Sequence, residues 1–200
     1  MSKTNGALFT ISAPSGAGKT SLVQALAETD TRIKVSVSHT TRPPRPGEAE
    51  GANYHFVDGD IFKKMARNGE FIEWAEVFGH LYGTSSVWVN KQLEAGFDVA
   101  LEIDWQGASQ IKFRVPAACS IFIIPPSQAA LRERLTGRGQ DDPRVIDRRM
   151  AEAVDELSHY EASDYLILNK DFKDALKELK TIFECHRLLT VRRSEALHET

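Results

Sequence analysis

The sequence predicts an α/β fold, a parallel β-sheet with helices on both faces, and two features of the chain support this prediction. Short apolar segments rich in strand-forming residues occur at residues 9–12, 33–37, 99–104, 119–124 and 165–168. Segments with a helical pattern of apolar residues separate them along the 200-residue chain. Apolar strands that alternate with helices are typical of parallel sheets buried on both faces.

The first apolar segment leads into a loop with the composition of a phosphate-binding site. The loop residues are Ala13, Pro14, Ser15, Gly16, Ala17, Gly18, Lys19 and Thr20, and a helical segment follows them. Glycine lets peptide N–H groups approach phosphate oxygens closely, and the start of the following helix adds free N–H groups. In this arrangement, the P-loop of nucleoside triphosphate enzymes, Lys19 is predicted to bridge the β- and γ-phosphates and Thr20 to bind Mg²⁺. The motif usually begins with glycine, so Ala13 is a departure from it.

Two carboxylates and several arginines are further candidates for phosphate chemistry. Glu102 and Asp104 close a buried strand, and the carboxyl ends of parallel strands open onto the ligand crevice, so we expect both beside Mg²⁺. Their two-residue spacing predicts that both point to one face of the strand. An acidic strand end that caps a neighbouring helix is the alternative. Phosphoryl transfer also needs cations, and arginines occur at positions 42, 45, 134, 138, 148 and 149.

Residues 38–85 do not follow the strand–helix alternation and predict an inserted substrate-binding lobe. A proline-rich loop in this region carries Arg42 and Arg45, and a hairpin-like pair of segments closes it. A short helix between them is predicted to have Asp60 as its N-cap. His39 is predicted to be a solvated loop histidine.

A mobile lid is predicted at about residues 127–159, because glycines flank Arg138 where a hinged loop could close over phosphates. The remaining segments, 1–37, 86–126 and 160–200, are predicted to form the core of a single domain. The last of them ends in one charged amphipathic helix, expected over residues 171–193.

The composition is that of an ordinary globular protein from a reducing compartment. A formal net charge of −3 gives no electrostatic support for a nucleic-acid partner. Cys119 and Cys185 have no metal-ligand partners at suggestive spacing, so both are predicted to be small hydrophobic residues. The N-terminal residues lack an apolar signal core, and no segment reaches membrane-spanning length. The prediction is a cytoplasmic protein with no membrane partner, of unknown oligomeric state.

Motifs over nearly the whole chain, from residue 7 to about 189, are similar to those of guanylate kinases of the bacterial type. They lie at residues 12–20, 36–48, 51–56, 71–75, 82–84, 102–107 and 134–139. Their order is that of the family, and together they are far more specific than the P-loop alone. The resemblance implies a P-loop kinase that transfers phosphate from ATP to GMP, and to dGMP as well, with Mg²⁺.

The resemblance also implies roles for individual residues. The GMP phosphate is implied to bind Arg42, Arg45, Tyr54 and Tyr82, and guanine to bind Ser38, Glu73 and Thr84. Glu102 and Asp104 are implied to lie close to the nucleotide, with Thr20 and Asp104 as the metal ligands. Lys19, Arg138 and Arg149 are implied to be catalytic, with Arg148 as an adjacent candidate, and Asn169 to lie near the ATP adenine.

The guanine assignment agrees with the chemistry of the base. Guanine offers N1–H and N2–H₂ donors on one edge, which a carboxylate such as Glu73 can accept together, while the Thr84 hydroxyl can donate to O6. Adenine lacks this donor pair and would leave the carboxylate without partners, which costs roughly 1–3 kcal/mol or more. Sites of this kind can discriminate by factors on the order of 10⁴.

Two positions depart from the family pattern. Glu102 stands where many relatives carry Asp, and Lys170 stands where an acidic residue is commoner.

A kinase for another nucleoside monophosphate is disfavoured by the three guanine-binding residues. A GTPase is disfavoured because the Asp of Asn169-Lys170-Asp171 comes one residue too early. A non-catalytic guanylate-kinase-like interaction module is disfavoured because the loop lysine and lid arginines are retained.

Overall fold

The structure, a computed structural model, describes residues 6–137 and 143–193, except for the side chains of residues 143–145 and 148. In chain order, the elements are β1 (Leu8–Ser12), α1 (Lys19–Thr29), β2 (Ile33–Val35), β3 (His39–Thr40), β4 (His55–Phe56), α2 (Gly59–Arg67), β5 (Phe71–Val77), β6 (His80–Ser85), α3 (Ser86–Glu94), β7 (Asp98–Glu102), α4 (Trp105–Arg114), β8 (Cys119–Ile124), α5 (Gln128–Gly137), α6 (Pro143–Leu157), a 3₁₀ turn (Tyr160–Ala162), β9 (Tyr165–Leu168), α7 (Phe172–Arg187) and α8 (Thr190–Arg193).

The predicted parallel sheet is confirmed, with five strands in the order β2-β7-β1-β8-β9. Every residue of the central strand β1 is buried. Its side chains alternate between two apolar layers: Phe9 and Ile11 pack with α1 and α7, and Leu8 packs with residues of α3 and α4. Helices therefore cover both faces. The edge strand β9 is less covered, and Tyr165, Leu166 and Leu168 are exposed there.

A second, four-stranded sheet lies within residues 39–85, in the order β4-β3-β6-β5. Strands β5 and β6 form the predicted hairpin, which turns at Phe78 and Gly79, both with positive φ. The prediction for His39 was wrong: this residue lies in β3, half-buried, with its ring against those of His55 and Phe71. Pairing of β3 with β4 and β6 partly shields His39 from solvent, and this pairing was not evident from so short a segment of sequence.

Helix α2 begins earlier than predicted, at Gly59, and its N-cap is Asp58 rather than Asp60. The Asp58 carboxylate accepts a hydrogen bond from the Asp60 N–H at 2.8 Å. Asp60 lies in the first turn instead, where its charge is favourable to the helix dipole. Two acidic residues at a helix start compete for the cap, and the local pattern alone did not distinguish them.

Helix α4 attaches the second sheet to the core along the open edge of β5. Because β5 is an edge strand, its outward main-chain groups have no strand partner. Three side chains of α4, four residues apart, donate to carbonyls of alternate β5 residues: Gln106 to Glu76, Gln110 to Trp74 and Arg114 to Ile72. Four helical residues rise about 6 Å and two strand residues about 6.6 Å, so the pairs keep their register. We call these three bonds the α4–β5 ladder.

An ion-pair network fastens the C-terminal helices to the start of the sheet. Asp98, only 1 % exposed, accepts hydrogen bonds from Arg187 Nε at 2.6 Å, Arg192 Nη2 at 2.8 Å and the Ala7 N–H at 3.0 Å. Arg187 also pairs with Asp30. The prediction of a single helix over residues 171–193 was wrong, because this segment forms two helices, α7 and α8. Arg187 at the end of α7 and Arg192 in α8 both contact Asp98.

The two cysteines differ in environment. Cys119 is buried, in agreement with its prediction as a small hydrophobic residue, whereas Cys185 on α7 is exposed and does not fit that prediction. The buried face of α7 carries Phe183, and Cys185, two residues later, lies on the opposite side of the helix. Among the described residues, no helix combines the length and apolarity needed to cross a membrane.

Candidate active site

A cleft of about 260 Å³ lies between the loop that follows β1 and the second sheet. Most of the predicted site residues line it: Ala13, Pro14, Ser15, Gly16, Gly18, Lys19, Thr20, Ser38, Arg42, Arg45, Tyr54, Glu73, Tyr82, Glu102, Asp104 and Arg149. Residues that are more than 60 positions apart in the chain thus face one space. Arg138, predicted to be catalytic, lies outside the described residues, as does the side chain of Arg148.

The glycine loop has the backbone that a phosphate cradle requires. Gly16 and Gly18 have φ values of 90° and 94°, a left-handed conformation that favours glycine. Gly18 is the N-cap of α1, so the helix begins at Lys19 with its free N–H groups at the cleft. The Lys19 ammonium group donates to the Ile103 carbonyl at 3.0 Å, at the end of β7. The loop, the helix start and a cation therefore meet at the carboxyl end of the sheet.

Ala17, within the loop, and Asn169 meet at the rear side of the loop rather than in the cleft. Both are buried, and the Asn169 amide donates to the Ala17 carbonyl at 2.7 Å. Arg134 reaches the same place from α5, with Nη2 donating to the Asn169 carbonyl at 2.8 Å. A Cβ at Gly18 would lie 2.5 Å from the Asn169 amide nitrogen, so this contact also requires glycine. These residues support the loop from its rear side.

The acidic strand end combines the two interpretations that its sequence left open. Glu102 accepts a hydrogen bond from the Thr20 hydroxyl group. Asp104 lies beyond the last residue of β7 and caps α4, with one oxygen accepting from the Gly107 N–H and the other from the Gln106 amide, both at 2.9 Å. Glu102 is therefore the carboxylate in contact with Thr20, although Asp104 was predicted to be the metal ligand.

The oxygen donors at this point fit Mg²⁺. No cluster of three or more His, Cys, Asp or Glu side chains suited to a metal occurs in the part of the chain that the structure describes. Mg²⁺ usually keeps several waters and binds to one or two carboxylates and the phosphates of a nucleotide, so a large protein cluster is not expected. The Thr20 hydroxyl and the Glu102 carboxylate, next to the glycine loop, are such a set.

Glu73 is a buried carboxylate on β5 that opens onto the cleft. Only 3 % of the residue is exposed, and its Oε1 accepts a hydrogen bond of 2.5 Å from the Thr84 hydroxyl. Burial, together with the nearby charge of Asp104, raises the pKa of Glu73 to about 7. Because Thr84 gives its only hydroxyl proton to Glu73, Ser38 is the donor in the 3.3 Å contact between the two hydroxyl groups. Thr84 itself is buried behind Glu73.

The remaining predicted residues form a cationic and phenolic wall. The Arg42 guanidinium group makes an ion pair with Glu48 at 2.8 Å and lies 5.3 Å from the centre of the Tyr54 ring. Tyr54 and Tyr82 contact each other edge to face, with ring centres 5.9 Å apart. Arg45 is exposed at the same side of the cleft. These side chains can surround an anion with N–H and O–H donors.

The sequence did not single out Glu156, which also lines the cleft. Its carboxylate accepts a hydrogen bond from the Ser15 N–H at 3.0 Å and so connects α6 to the glycine loop. Burial raises the pKa of Glu156. The only signal in the sequence was its position seven residues after Arg149, two turns later on the same helix face. Other residues missed in the cleft lining are Ser21, Ala75, Val77, Phe78 and Ile103.

A parallel sheet, a glycine loop with lysine at the start of the next helix, and a carboxylate on the neighbouring strand together define a P-loop kinase. Within that class, the family model described as guanylate kinase matches residues 5–186. The chain belongs to the guanylate kinase family.

Individual relatives agree with this assignment. The guanylate kinase of Alkalilimnicola ehrlichii is 57% identical over 195 residues, which cover 98% of this chain and 96% of the relative. That of Saccharophagus degradans is 60% identical over 183 residues, 92% of this chain and 89% of the relative. The crystal structure of guanylate kinase from Anaplasma phagocytophilum is similar with a TM-score of 0.80 and 36% identity, covering 95% of this chain and 90% of that one. The resemblance found in the sequence motifs is thus confirmed.

Proposed function

We propose that the protein transfers the γ-phosphoryl group of ATP to GMP, and to dGMP, forming ADP and the nucleoside diphosphate. One observation carries this proposal: the buried carboxylate of Glu73 and the glycine loop with Lys19 open onto the same cleft. A base-recognition group and a triphosphate cradle on opposite sides of one space suit a transfer between two nucleotides. Membership of the guanylate kinase family supports the choice of substrates.

The acceptor nucleotide would bind beneath the second sheet. Glu73 would accept the N1–H and N2–H₂ groups of guanine, and Ser38, which lines the cleft, would contact the same base. Thr84 would hold Glu73 in place, since its hydroxyl proton is already donated to that carboxylate. The phosphate group would bind the cationic and phenolic wall formed by Arg42, Arg45 and the two tyrosines.

The donor nucleotide would bind the glycine loop. N–H groups of the loop and the start of α1 would hold its phosphates, and Lys19 would turn from the Ile103 carbonyl to bridge the β- and γ-phosphates. Asn169 would act near the adenine side by supporting the loop at Ala17. Thr20 and Glu102, with Asp104 close by, would hold Mg²⁺, which when bound neutralises charge on the phosphate oxygens.

The transfer needs position and charge rather than a covalent intermediate. An oxygen of the GMP phosphate would attack the γ-phosphorus in line, and ADP would leave. Arg149, which faces the cleft, and Arg138 would stabilise charge on the moving group. We propose that residues 38–85 act as the acceptor lobe and about 127–159 as the lid, around a core of 1–37, 86–126 and 160–200. Their closure would exclude water and limit hydrolysis of ATP.

We also propose a cytoplasmic location. Both cysteines of the chain, Cys119 and Cys185, are free thiols, as is common in a reducing compartment.

The decisive experiment is a coupled assay of ADP release with GMP, dGMP, AMP, UMP and dTMP as acceptors. We expect turnover with the two guanine nucleotides and little with the others, and loss of most turnover in Lys19→Ala. Calorimetric titration with ATP and GMP separately tests binding without catalysis. Preference for another base would overturn the acceptor, whereas binding of GMP without turnover in the presence of ATP and Mg²⁺ would indicate an interaction module.

A further inference from the structure

Gly107, in the first turn of α4, lies directly against the base-recognition carboxylate. The residue is buried, and a Cβ built on its backbone would lie 2.6 Å from Glu73 Oε2 and 3.3 Å from Glu73 Cδ. Real Cβ atoms essentially never approach an oxygen this closely, so any side chain here forces a movement. Its backbone is helical, so glycine is not required by conformation. The requirement for glycine at this position is one of space alone.

Helix α4 cannot easily provide that space. The α4–β5 ladder joins the helix at three points to the strand that carries Glu73. At its start, the helix is held by Asp104, whose carboxylate accepts the Gly107 N–H itself at 2.9 Å. A shift of α4 away from Glu73 would break several of these bonds together. A side chain at position 107 would therefore displace the Glu73 side chain rather than α4.

The oxygen that a side chain at position 107 would strike is the one available for a ligand. Glu73 Oε1 is occupied by the Thr84 hydroxyl group. Oε2 is the oxygen of Glu73 that faces Gly107. Recognition of the N1–H and N2–H₂ edge of guanine uses both oxygens in a fixed plane, so a rotation or retreat of Oε2 would misalign the pair.

We propose that Gly107 is a positioning residue for guanine recognition: the missing side chain on α4 leaves the space in which Glu73 presents Oε2 to the base. This inference rests on the proposed function and adds a determinant of specificity that does not itself contact the substrate. It explains why a helix that is otherwise well suited to alanine carries glycine in its first turn, at some cost in helix propensity.

The test compares Gly107→Ala with Gly59→Ala, in which the new methyl group also lies in the first turn of a helix but meets nothing within 4 Å. We expect the KM for GMP of Gly107→Ala to rise about tenfold or more, with the KM for ATP within about twofold of the parent value. Gly59→Ala is expected to leave both constants unchanged. An unchanged KM for GMP in a folded Gly107→Ala protein overturns the inference.

A second comparison separates positioning from a general loss of structure. Glu73→Asp withdraws the carboxylate by one methylene, which removes the clash with a methyl group at position 107. Adding Gly107→Ala to Glu73→Asp is therefore expected to change the KM for GMP much less than adding it to the parent chain. When Gly107→Ala alone does not fold, the double variant is compared with Glu73→Asp, and a rise of about tenfold in the KM for GMP counts against the inference. Equal effects in both backgrounds count against the inference.

Direct titration with GMP distinguishes this inference from the function on which it rests. A parent enzyme that phosphorylates GMP, together with a Gly107→Ala variant that binds GMP equally well, overturns the role of Gly107 alone. A parent enzyme that neither binds nor phosphorylates GMP overturns the proposed function and this inference with it.

Discussion

Glu73 has two states that differ in what they can accept, and both are accessible near neutral pH. Its pKa is raised to about 7, first by burial and then by the neighbouring charge of Asp104. The ionised carboxylate can accept two hydrogen bonds from guanine, whereas the protonated form has one oxygen converted to a donor. Recognition of the base is therefore linked to a proton.

We expect GMP affinity to rise with pH through this pKa. Below pH 7 the free enzyme holds Glu73 largely protonated, and that proton must leave before guanine binds; above pH 7 it has already left. The dissociation constant for GMP is thus expected to fall about tenfold from pH 6 to pH 8. Calorimetry across this range measures it. Glu73→Gln should bind more weakly and show only the pH dependence that belongs to the nucleotide; an identical profile in both proteins contradicts the assignment.

Among the elements, α6 is connected to the phosphate cradle by one carboxylate. Glu156 accepts the Ser15 N–H, while Arg149 on the same helix faces the cleft. Movement of α6 and the conformation of the glycine loop are therefore coupled through this hydrogen bond to a charged group, a kind stronger than most.

Removing this connection should weaken the donor site. In Glu156→Ala, the Ser15 N–H loses its acceptor, and we expect the KM for ATP to rise about tenfold while the KM for GMP changes little. Glu156→Gln keeps an acceptor oxygen and should lie close to the parent enzyme. Steady-state kinetics with each substrate varied in turn measures both constants. Tighter ATP binding in Glu156→Ala would instead mean that the carboxylate competes with the phosphates.

The C-terminal helices depend on a different carboxylate, Asp98. This residue is 1 % exposed and lies between Arg187 and Arg192, so its loss removes the carboxylate that two largely buried guanidinium groups share and leaves Arg187 paired with Asp30. We expect Asp98→Asn to lower the free energy of unfolding by about 3 kcal/mol, measured by denaturant titration. The matched control is Asp147→Asn, which removes an exposed pair with Arg132 and should cost less than about 1 kcal/mol. Equal losses in both variants would contradict the importance of burial.

At the scale of the whole molecule, two sheets face one cleft. The parallel sheet carries the glycine loop, the smaller sheet carries Glu73, and the α4–β5 ladder joins them at one edge. Each nucleotide would thus order mainly one part of the molecule, and only both together would bring the parts into the geometry for transfer.

Hydrogen exchange measured with each ligand alone should show this division. GMP is expected to slow exchange of amides in β3, β5 and β6, and ATP with Mg²⁺ to slow exchange in the glycine loop and at the start of α1. Lys19→Ala should lose the protection by ATP but keep that by GMP. Protection of the glycine loop by GMP alone would mean that the acceptor and donor sites are exchanged.

The sequence by itself determined the parallel sheet, the glycine loop and the family. Each of these depends on short runs of residues, such as residues 13–20, whose local chemistry is the same wherever the chain goes. The residues around the cleft were also identified from motifs, and most of them do line it.

Only the tertiary structure decided which groups are engaged with one another. Thr84 donates its proton to Glu73, Glu102 rather than Asp104 contacts Thr20, and Glu156 accepts the Ser15 N–H. These contacts join residues as many as 141 positions apart in the chain. Burial raises the pKa of Glu73. This burial results from the packing of the whole molecule and cannot be read from the residues next to Glu73 in the chain. The space at Gly107 arises in the same way, because it exists only where α4 is packed against β5.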